Sequence, residues 1–323
     1  MGAFEIAILA IAVFLITVIC EALWIKFAKA RGLVGLDWAK KGRVLLSEGG
    51  GIAMLPGIWF AIAFLFFGSG NFNYIAWGLL LSIFAFIGII DDTKHKFLKK
   101  ALSWKKRAIA IAAVCLAFAG IYFWNLGILW IALVALYIAG IASFQNTFAG
   151  LNGWQGGSAA IIAVASALIV AKESLGAVWL NAILIAAILG FLMWNKFPAR
   201  VFEGNSGTLL IGSAIAGIFI LNGKIGLMAF SLLFFLPHMF EFLVLKLMLS
   251  KARDPGQMRQ LPYRVLENGK IAIPEYAKGR VQYDFAKMLI RIFGPLREWE
   301  IVAIIWAVVA VNAAFWILLF GFV

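Results

Sequence analysis

Ten stretches of about 20 mostly apolar residues run through this chain, and they restrict its fold more than any other feature. A helix needs about 20 residues to cross the hydrocarbon core of a bilayer, and its backbone groups must pair within the helix. The composition agrees, because 64% of the 323 residues are hydrophobic and only 13% are charged. The sequence therefore predicts an all-α polytopic membrane protein, with residues 1–323 as a single integral membrane domain. The predicted spans centre on Val13, Phe60, Leu81, Val114, Val134, Val164, Ile185, Ala214, Leu233 and Val309.

The basic residues gather on one side of the predicted bundle. One set of alternate connections holds 26 of the 28 Lys and Arg residues, and the other set holds only Lys172 and Lys224. Positive charge concentrates in cytoplasmic connections, so we expect the basic side in the cytoplasm and both termini on the opposite side. Membrane lipids account for the net charge of +13, and no nucleic-acid partner is expected.

The longest polar stretch, residues 250–299, is expected to form an ordered cytoplasmic loop. A turn signal at Asn268–Gly269, followed by an alternating piece over residues 270–273, predicts a short hairpin. A second turn signal lies over residues 254–256. An amphipathic helix follows, which either lies on the membrane surface or packs against the bundle; Lys287 and Arg291 are assigned to its polar face. Its apolar face is predicted to hold Val281, Phe285, Met288, Leu289 and Ile292.

Two adjacent carboxylates, Asp91 and Asp92, follow the third predicted span. Carboxylates at a membrane boundary are costly unless they meet cations, metal or water. Seven Lys and Arg residues follow within residues 94–107, as a site for anionic phosphates requires. A helix end and a lipid-headgroup anchor are the alternative interpretations. The pair is nevertheless our first candidate for catalysis.

Two further connections on the basic side carry carboxamides and glycines. Residues 145–157 contain Asn146, Asn152 and four glycines but no charge, and such a segment at membrane depth indicates a ligand loop. Carboxamide oxygens can bind a hard cation, and carboxamides can read the edge of a base. In the next connection, Asn205 and Ser206 are placed to cap the following span, whose N-terminus would favour an anion.

These motifs occur in an order that resembles a known family. The segments IIDD, NTFAGLNG and FPARVFEGN are similar to those of the polyprenyl-phosphate N-acetylhexosamine-1-phosphate transferases. The likeness is greatest to the eukaryotic and archaeal type that uses UDP-N-acetylglucosamine and dolichyl phosphate. It extends over nearly the whole chain, from GLDWAKKGRVLLSEGG to FGPLREWE. The bacterial phospho-MurNAc-pentapeptide transferases differ in having aspartates at the positions of Ala149 and Asn152.

The resemblance implies a ten-span bundle with a cytoplasmic active site that joins a UDP-sugar to a polyprenyl or dolichyl phosphate. It assigns catalysis to Asp91 and Asp92. It places Mg²⁺, or alternatively Mn²⁺, at Asp92, Asn146 and Asn205. The residues expected to bind the nucleotide sugar are Glu48, Gly150, Asn152, Asn195 and Phe202. The residues expected to bind phosphate are Lys106, Arg107, Arg259 and Arg264.

Two departures from the family pattern carry expectations. Most members have Asp where this chain has Asn205, so the metal site loses one negative charge and weaker metal binding is expected. The paired arginines of the last cytoplasmic loop are matched only loosely, by Arg259 and Arg264 around Leu261–Pro262. The sequence does not fix which N-acetylhexosamine is used, nor whether the protein is a monomer or a homodimer.

Three other function classes are alternatives to a transferase. A transporter would place ionisable residues at span centres, whereas here they gather on one side. An intramembrane prenyltransferase would use DDxxD, but position 95 is His95. A catalytically silent homologue that binds nucleotide sugar or lipid phosphate stays open because of Asn205. His238, which follows Pro237, is assigned a structural role in which its ring binds a carbonyl freed by a kink.

Overall fold

A computed structural model describes residues 2–97, 104–249, 263–274 and 283–320, without the side chains of residues 94–97 and 104. It confirms an all-α membrane protein. Within the described residues, nine helical segments are long and apolar enough to cross a membrane. A tenth predicted span corresponds to a helix of 17 residues, about 25 Å long at 1.5 Å per residue. Arg259, the turn at residues 254–256 and Val281 lie outside the described residues.

The helices follow one another with short connections. The first eight are α1 (Ala3–Ala30), α2 (Leu55–Ser69), α3 (Phe72–Phe97), α4 (Trp104–Phe123), α5 (Ile128–Thr147), α6 (Trp154–Val170), α7 (Leu175–Asn195) and α8 (Gly204–Leu221). The ninth predicted span begins as α9 (Ile225–Ser231) and continues through α10 (Leu236–Met239). The last two helices are α11 (Phe285–Phe293) and α12 (Glu298–Phe320).

Helix α8 lies at the centre of the bundle, between α3 and α5, and every residue from Ser206 to Ile220 is buried. Glycines allow its neighbours to approach closely. A Cβ atom at Gly212 would lie 2.6 Å from the Cα of Ala142 on α5. On the α3 side, the Trp77 indole donates to the carbonyl of Ala214 at 2.9 Å. The middle of α8 is thereby held between α3 and α5.

Two antiparallel hairpins and several loops form what we call the polar end of the bundle. Strand β1 (Val34–Leu36) pairs with β2 (Leu45–Ser47), and β3 (Arg264–Val265) pairs with β4 (Ile271–Ala272). The second hairpin turns through Gly269, whose φ of 76° is left-handed. Its Ile271 also exchanges backbone hydrogen bonds with Leu296, just before α12. Both hairpins are therefore attached to the bundle.

The ninth span changes helical geometry along its length. A 3-10 turn over Leu232–Phe235 follows α9, and a π-helix over Phe240–Met248 follows α10. Pro237 lies near the start of α10, where its missing N–H is tolerated. The carbonyls of Leu233 and Phe234 accept from the side-chain amide of Asn312 on α12, at 2.9 and 3.2 Å. A side chain from another helix thus supplies hydrogen bonds at the interruption.

The expected role of His238 is wrong in its detail. Among the described residues, neither ring nitrogen has a hydrogen-bond partner. The ring is fully buried and stacks on Phe148, with centroids 3.8 Å apart and planes at 24°. The side-chain amide of Asn312, rather than the His238 ring, donates to the carbonyls of Leu233 and Phe234. His238 therefore joins the ninth span to the α5–α6 loop by packing.

The amphipathic helix in the last polar segment is α11, but its polar face differs from the one expected. Lys287 is predicted to lie on the polar face, yet it is 3% exposed and pairs with Asp284, which caps the helix. The reason is a tertiary contact: Phe285 packs on Phe148, which turns the start of α11 and Lys287 toward the bundle. Ile292, on the predicted apolar face, is 63% exposed, which agrees with a face that meets the membrane surface.

Candidate active site

Asp92 joins the end of α3 to the start of α8. Its Oδ1 accepts the backbone N–H of Asn205 at 2.8 Å, and its Oδ2 accepts that of Ser206 at 3.0 Å. The first N–H groups of a helix have no partner within the helix, and they attract anions. Asp92 therefore supplies the cap of α8, a role that the sequence suggested for Asn205 and Ser206 themselves.

Asn205 links the two aspartates through its side chain. Its Nδ2 donates to Oδ2 of Asp91 at 3.1 Å and to Oδ1 of Asp92 at 2.9 Å. The Arg107 guanidinium, in the first turn of α4, donates to the same Oδ2 of Asp91 at 2.8 Å. We call Asp91, Asp92, Arg107 and Asn205 the aspartate cluster. Three sequence segments that were predicted to meet, at the ends of α3, α4 and α8, do meet here.

Asn146 and Lys106 flank this cluster. The Oδ1 of Asn146 accepts from the Thr208 hydroxyl at 2.6 Å, one helical turn beyond Asn205. Lys106 is exposed on α4 next to Arg107. The amide, the aspartates and the basic residues therefore share one end of the bundle.

Two glycines make the contact between α3 and α8 geometrically feasible. Gly204 has a φ of 71°, and a Cβ there would lie 2.4 Å from Oδ2 of Asp92. Gly49 has a φ of 69°, and its Cα lies 2.9 Å from the position that a Cβ at Gly204 would take. Left-handed backbone and close approach both favour glycine. The G of the FEGN motif is thus needed so that Asp92 can reach the helix start.

Two buried glutamates lie behind the cluster. Glu203, next to Gly204, is 4% exposed, and Glu21 of α1 is fully buried. Burial first, and then the neighbouring Asp92 carboxylate, raise the pKa of Glu203 to about 8. Glu203 therefore adds little negative charge to the site near neutral pH. The sequence predicted no role for either glutamate.

A second group of charged and polar side chains surrounds Asn152 in the α5–α6 loop. The Nδ2 of Asn152 donates to Oδ2 of Asp37 at 2.9 Å, and its backbone N–H donates to Oε1 of Glu298 at 3.0 Å. The Lys40 ammonium contacts both carboxylates, Asp37 at 3.5 Å and Glu298 more closely. We call Asp37, Lys40, Asn152 and Glu298 the loop cluster.

Other residues predicted to bind the nucleotide sugar lie around the loop cluster. The Oδ1 of Asn195 accepts the N–H of Gly153 at 3.0 Å, while its Nδ2 donates to the carbonyl of Val201 at 2.9 Å. Phe202 bonds through its backbone to Ser47 and Gly50, which places it beside Glu48. At Gly150, a Cβ would lie 2.4 Å from the Trp154 ring. Since Phe202 is three residues before Asn205, this region adjoins the aspartate cluster.

A cavity of about 530 Å³ opens beside the loop cluster. Asp37, Lys40 and Lys41 line it on one side, and Tyr263 and Arg264 line it on the other. Arg264, one of the predicted phosphate ligands, therefore lies with the loop cluster. Arg259 lies outside the described residues.

The aspartate cluster contains the oxygen atoms, from carboxylates and a carboxamide, that suit a hard divalent cation. Mg²⁺ and Mn²⁺ prefer carboxylate and other oxygen ligands, and the Nδ2 of Asn205 occupies a position between two carboxylates. In this arrangement Asn205 presents its nitrogen, and it would have to turn its carboxamide to act as a ligand. Asp92 already accepts three N–H groups. Among the described residues, no three Asp, Glu, His or Cys side chains gather as a metal centre.

Sequence reasoning missed the partners of Asn152. Asp37 and Lys40 belong to the segment GLDWAKKGR, and Glu298 belongs to FGPLREWE, so the motifs that carried the resemblance contained them. Asp37 is 115 positions from Asn152 and Glu298 is 146 positions from it, and a single sequence contains no signal for such pairs.

Known proteins resemble this chain over most of its length. The profile of glycosyl transferase family 4 matches residues 74–223. A protein of Sulfolobus acidocaldarius, provisionally named a UDP-N-acetylglucosamine–dolichyl-phosphate N-acetylglucosaminephosphotransferase, is 30% identical over 91% of this chain and 90% of its own. A provisionally named glycosyltransferase of Methanocaldococcus jannaschii is 28% identical over 90% and 88%. A phospho-N-acetylmuramoyl-pentapeptide-transferase of Gloeothece citriformis is 28% identical over 66% and 68%. The predicted family is thereby confirmed: the chain belongs to glycosyl transferase family 4.

Proposed function

We propose that this protein transfers N-acetylglucosamine 1-phosphate, or a related N-acetylhexosamine phosphate, from a UDP-sugar to a polyprenyl or dolichyl phosphate. UMP is the second product. The observation that carries the proposal is the aspartate cluster, two carboxylates joined by Asn205 and paired with Arg107, beside the loops around Asn152. The relative from Sulfolobus, whose provisional name states this reaction, supports it.

The reaction exchanges one phosphoanhydride bond, in the UDP-sugar, for another, in the lipid diphosphate. An oxygen of the lipid phosphate forms a bond to the phosphorus that carries the sugar. The bond from that phosphorus to the bridging oxygen breaks, and UMP leaves with the electron pair. A phosphate monoester is mostly dianionic near neutral pH, so the acceptor needs little activation. The main barrier is repulsion between anions, and the protein must therefore supply positive charge and alignment.

The two aspartates divide their work in this proposal. Asp92 is occupied by the N–H groups of α8, so it fixes the distance between α3 and α8. Asp91 meets the reacting groups, either by orienting the acceptor or by accepting its proton. Arg107, which contacts Asp91 at 2.8 Å, is placed to bind an acceptor or donor phosphate.

Mg²⁺ is the cofactor that these atoms fit, with Mn²⁺ as the alternative. Asp92, Asn146 and Asn205 are the residues that would hold it. When bound, it supplies positive charge against the diphosphate of the donor. The nucleotide end of the donor is assigned to Glu48, Gly150, Asn152, Asn195 and Phe202.

The polar end faces the cytoplasm in this proposal, where nucleotide sugars are available. The division of basic residues, 26 on this side and two on the other, supports that orientation. The lipid phosphate reaches the cluster from the bilayer along the bundle.

The assay uses purified protein in lipid nanodiscs with Mg²⁺, dolichyl or polyprenyl phosphate, and a panel of radiolabelled UDP-sugars. We expect one UDP-N-acetylhexosamine to give a labelled lipid diphosphate together with UMP. Asp91→Asn serves as the inactive control. Binding of UDP-sugar without product from any sugar would favour the silent homologue, and no binding at all would reject both interpretations.

A further inference from the structure

Asp37 holds the side chain of Asn152 in one orientation. Asp37 and Asn152 are each 5% exposed, and the Nδ2 of Asn152 lies 2.9 Å from Oδ2 of Asp37. An ionised carboxylate accepts hydrogen bonds but cannot donate them. The NH₂ group of Asn152 must therefore face Asp37, and Oδ1 must face away from it. Among the described residues, no hydrogen bond uses that Oδ1.

The aspartate is itself fixed. Its Oδ1 accepts the backbone N–H of Ala39 at 3.0 Å, and the Lys40 ammonium lies 3.5 Å from its Oδ2. The backbone of Asn152 is fixed separately, because its N–H donates to Glu298 at 3.0 Å. Both the loop and the carboxamide are thus held, and the direction of the amide depends on Asp37 alone.

From this geometry we infer that Asp37 is a positioning residue that makes the site select uracil over cytosine. The inference rests on the proposed function, in which Asn152 meets the base of a UDP-sugar. Uracil carries an N–H at position 3, which a fixed Oδ1 can accept. Cytosine has an unprotonated nitrogen there, so a fixed Oδ1 would face a lone pair. A site with a fixed acceptor discriminates because the wrong base leaves it unpaired.

A purely structural role for Asp37 predicts a different result. In that case the hydrogen bond between Asn152 and Asp37 only connects the loop after β1 to the α5–α6 loop. Its loss would then lower the affinity for all nucleotides equally. The ratio of affinities for UMP and CMP therefore separates the two roles. UMP is also the proposed product, so its binding can be measured without turnover.

The test measures UMP and CMP binding to the full-length protein by calorimetry. We expect Asp37→Ala to weaken the binding of UMP by about tenfold, which is the effect of one lost hydrogen bond and an unpaired group. The binding of CMP should weaken by less than about threefold. The Asp37→Asn and Asn152→Asp variants should each reduce the ratio. The double variant Asp37→Asn with Asn152→Asp should restore the ratio of UMP to CMP affinity. In that variant, the carboxamide introduced at position 37 can donate to one oxygen of the new carboxylate at position 152. The other oxygen of that carboxylate can accept from uracil.

Asp284→Ala is the matched control, because Asp284 is a buried aspartate that caps α11 rather than contacting Asn152. It should leave the ratio unchanged. An equal loss for both nucleotides in Asp37→Ala, or a double variant no better than the worse single variant, would overturn the inference. If the wild-type protein bound neither UMP nor UDP-sugars, the proposed function itself would fail, and that outcome is distinguishable because it appears before any substitution.

Discussion

At the scale of single residues, the two aspartates lie side by side in the chain but have different surroundings. Asp91 contacts Arg107 and Asn205, which are side chains. Asp92 contacts two backbone N–H groups of α8 as well as Asn205. The first arrangement can change when a substrate arrives, whereas the second belongs to the fold.

We therefore predict different consequences for Asp91→Asn and Asp92→Asn. Both variants should lose at least about 100-fold in transfer rate, the effect of removing a positioned acid, base or metal contact. Only Asp92→Asn should also lower the unfolding temperature, since an amide NH₂ would face the N–H groups of α8 at a cost of about 1–3 kcal/mol. Turnover and thermal unfolding in nanodiscs give both quantities. Wild-type stability in Asp92→Asn would contradict its assignment as a helix cap.

Asn205→Asp tests the missing charge of the metal site. Without metal, a third carboxylate would face Asp91 and Asp92, so the unfolding temperature should fall. With Mg²⁺ it should recover, and metal affinity should exceed that of the wild-type protein. In the wild-type protein, Mg²⁺ should bind weakly alone and clearly with UDP-sugar, because the diphosphate supplies the missing anion. Magnesium titrations with and without nucleotide measure this, and equal affinities in both would show that Asn205 is not a ligand.

Gly204→Ala tests the close contact between α3 and α8. The Cβ would lie 2.4 Å from Asp92, so we expect both lower stability and a loss of transfer of at least about tenfold. Gly70→Ala is the control, because Gly70 has a similar φ of 67° and no atom within 4 Å of the added Cβ. Backbone strain is common to both variants, so equal effects would mean that the contact with Asp92 is unimportant.

Some residues of this site could be predicted from the sequence, and others could not. Asp91, Asp92, Asn205 and Arg107 occur near span ends on the basic side, so helical length alone predicts that they share one end of the bundle. Asp37 could not be predicted, since an aspartate among lysines in a short loop looks like an ordinary surface residue. Its significance depends on which atom of Asn152 it contacts, and that is a tertiary property.

At the scale of secondary structure, hydropathy located the helices because lipid requires each span to complete its own hydrogen bonds. It did not reveal the changes of geometry in the ninth span. Apolar side chains suit α-, 3-10 and π-helices equally, and only Pro237 indicated an interruption. Nor did it show that α3 continues past the aspartates to Phe97, because polar residues end a hydropathy peak without ending a helix.

The interruption of the ninth span provides an element-scale prediction. Asn312→Leu should lower the stability in nanodiscs by about 0.6–1.7 kcal/mol, the mean and the maximum measured for side-chain hydrogen bonds between membrane helices, because the carbonyls of Leu233 and Phe234 lose this side-chain donor. Asn181→Leu is the matched control. Asn181 is a buried asparagine whose amide donates to Ala177 in its own helix, so its removal should cost nothing or stabilise slightly. A neutral Asn312→Leu would show that the interrupted helix satisfies its own carbonyls.

At the scale of the whole molecule, the arrangement of charge implies an orientation. The polar end carries both hairpins, both clusters and most of the basic residues that the structure describes, so it should face the cytoplasm. Single cysteines placed near Gly70 and Asn222, at the other end of the helices, should react with an impermeant reagent added from outside intact cells. The starting protein replaces Cys20 and Cys115 with alanine. Labelling only after the membrane is opened would show that the topology is the reverse of the predicted one. The proposed reaction could then not use a cytoplasmic donor.

The contact of Asn312 with the ninth span also bears on the order in which the protein is made. The carbonyls of Leu233 and Phe234 leave the ribosome 79 and 78 residues before the amide that satisfies them. During synthesis, the ninth span therefore lacks this side-chain donor until α12 has been made. A chain that stops before α12 would therefore contain an interrupted span without the amide that bridges the interruption in the finished protein.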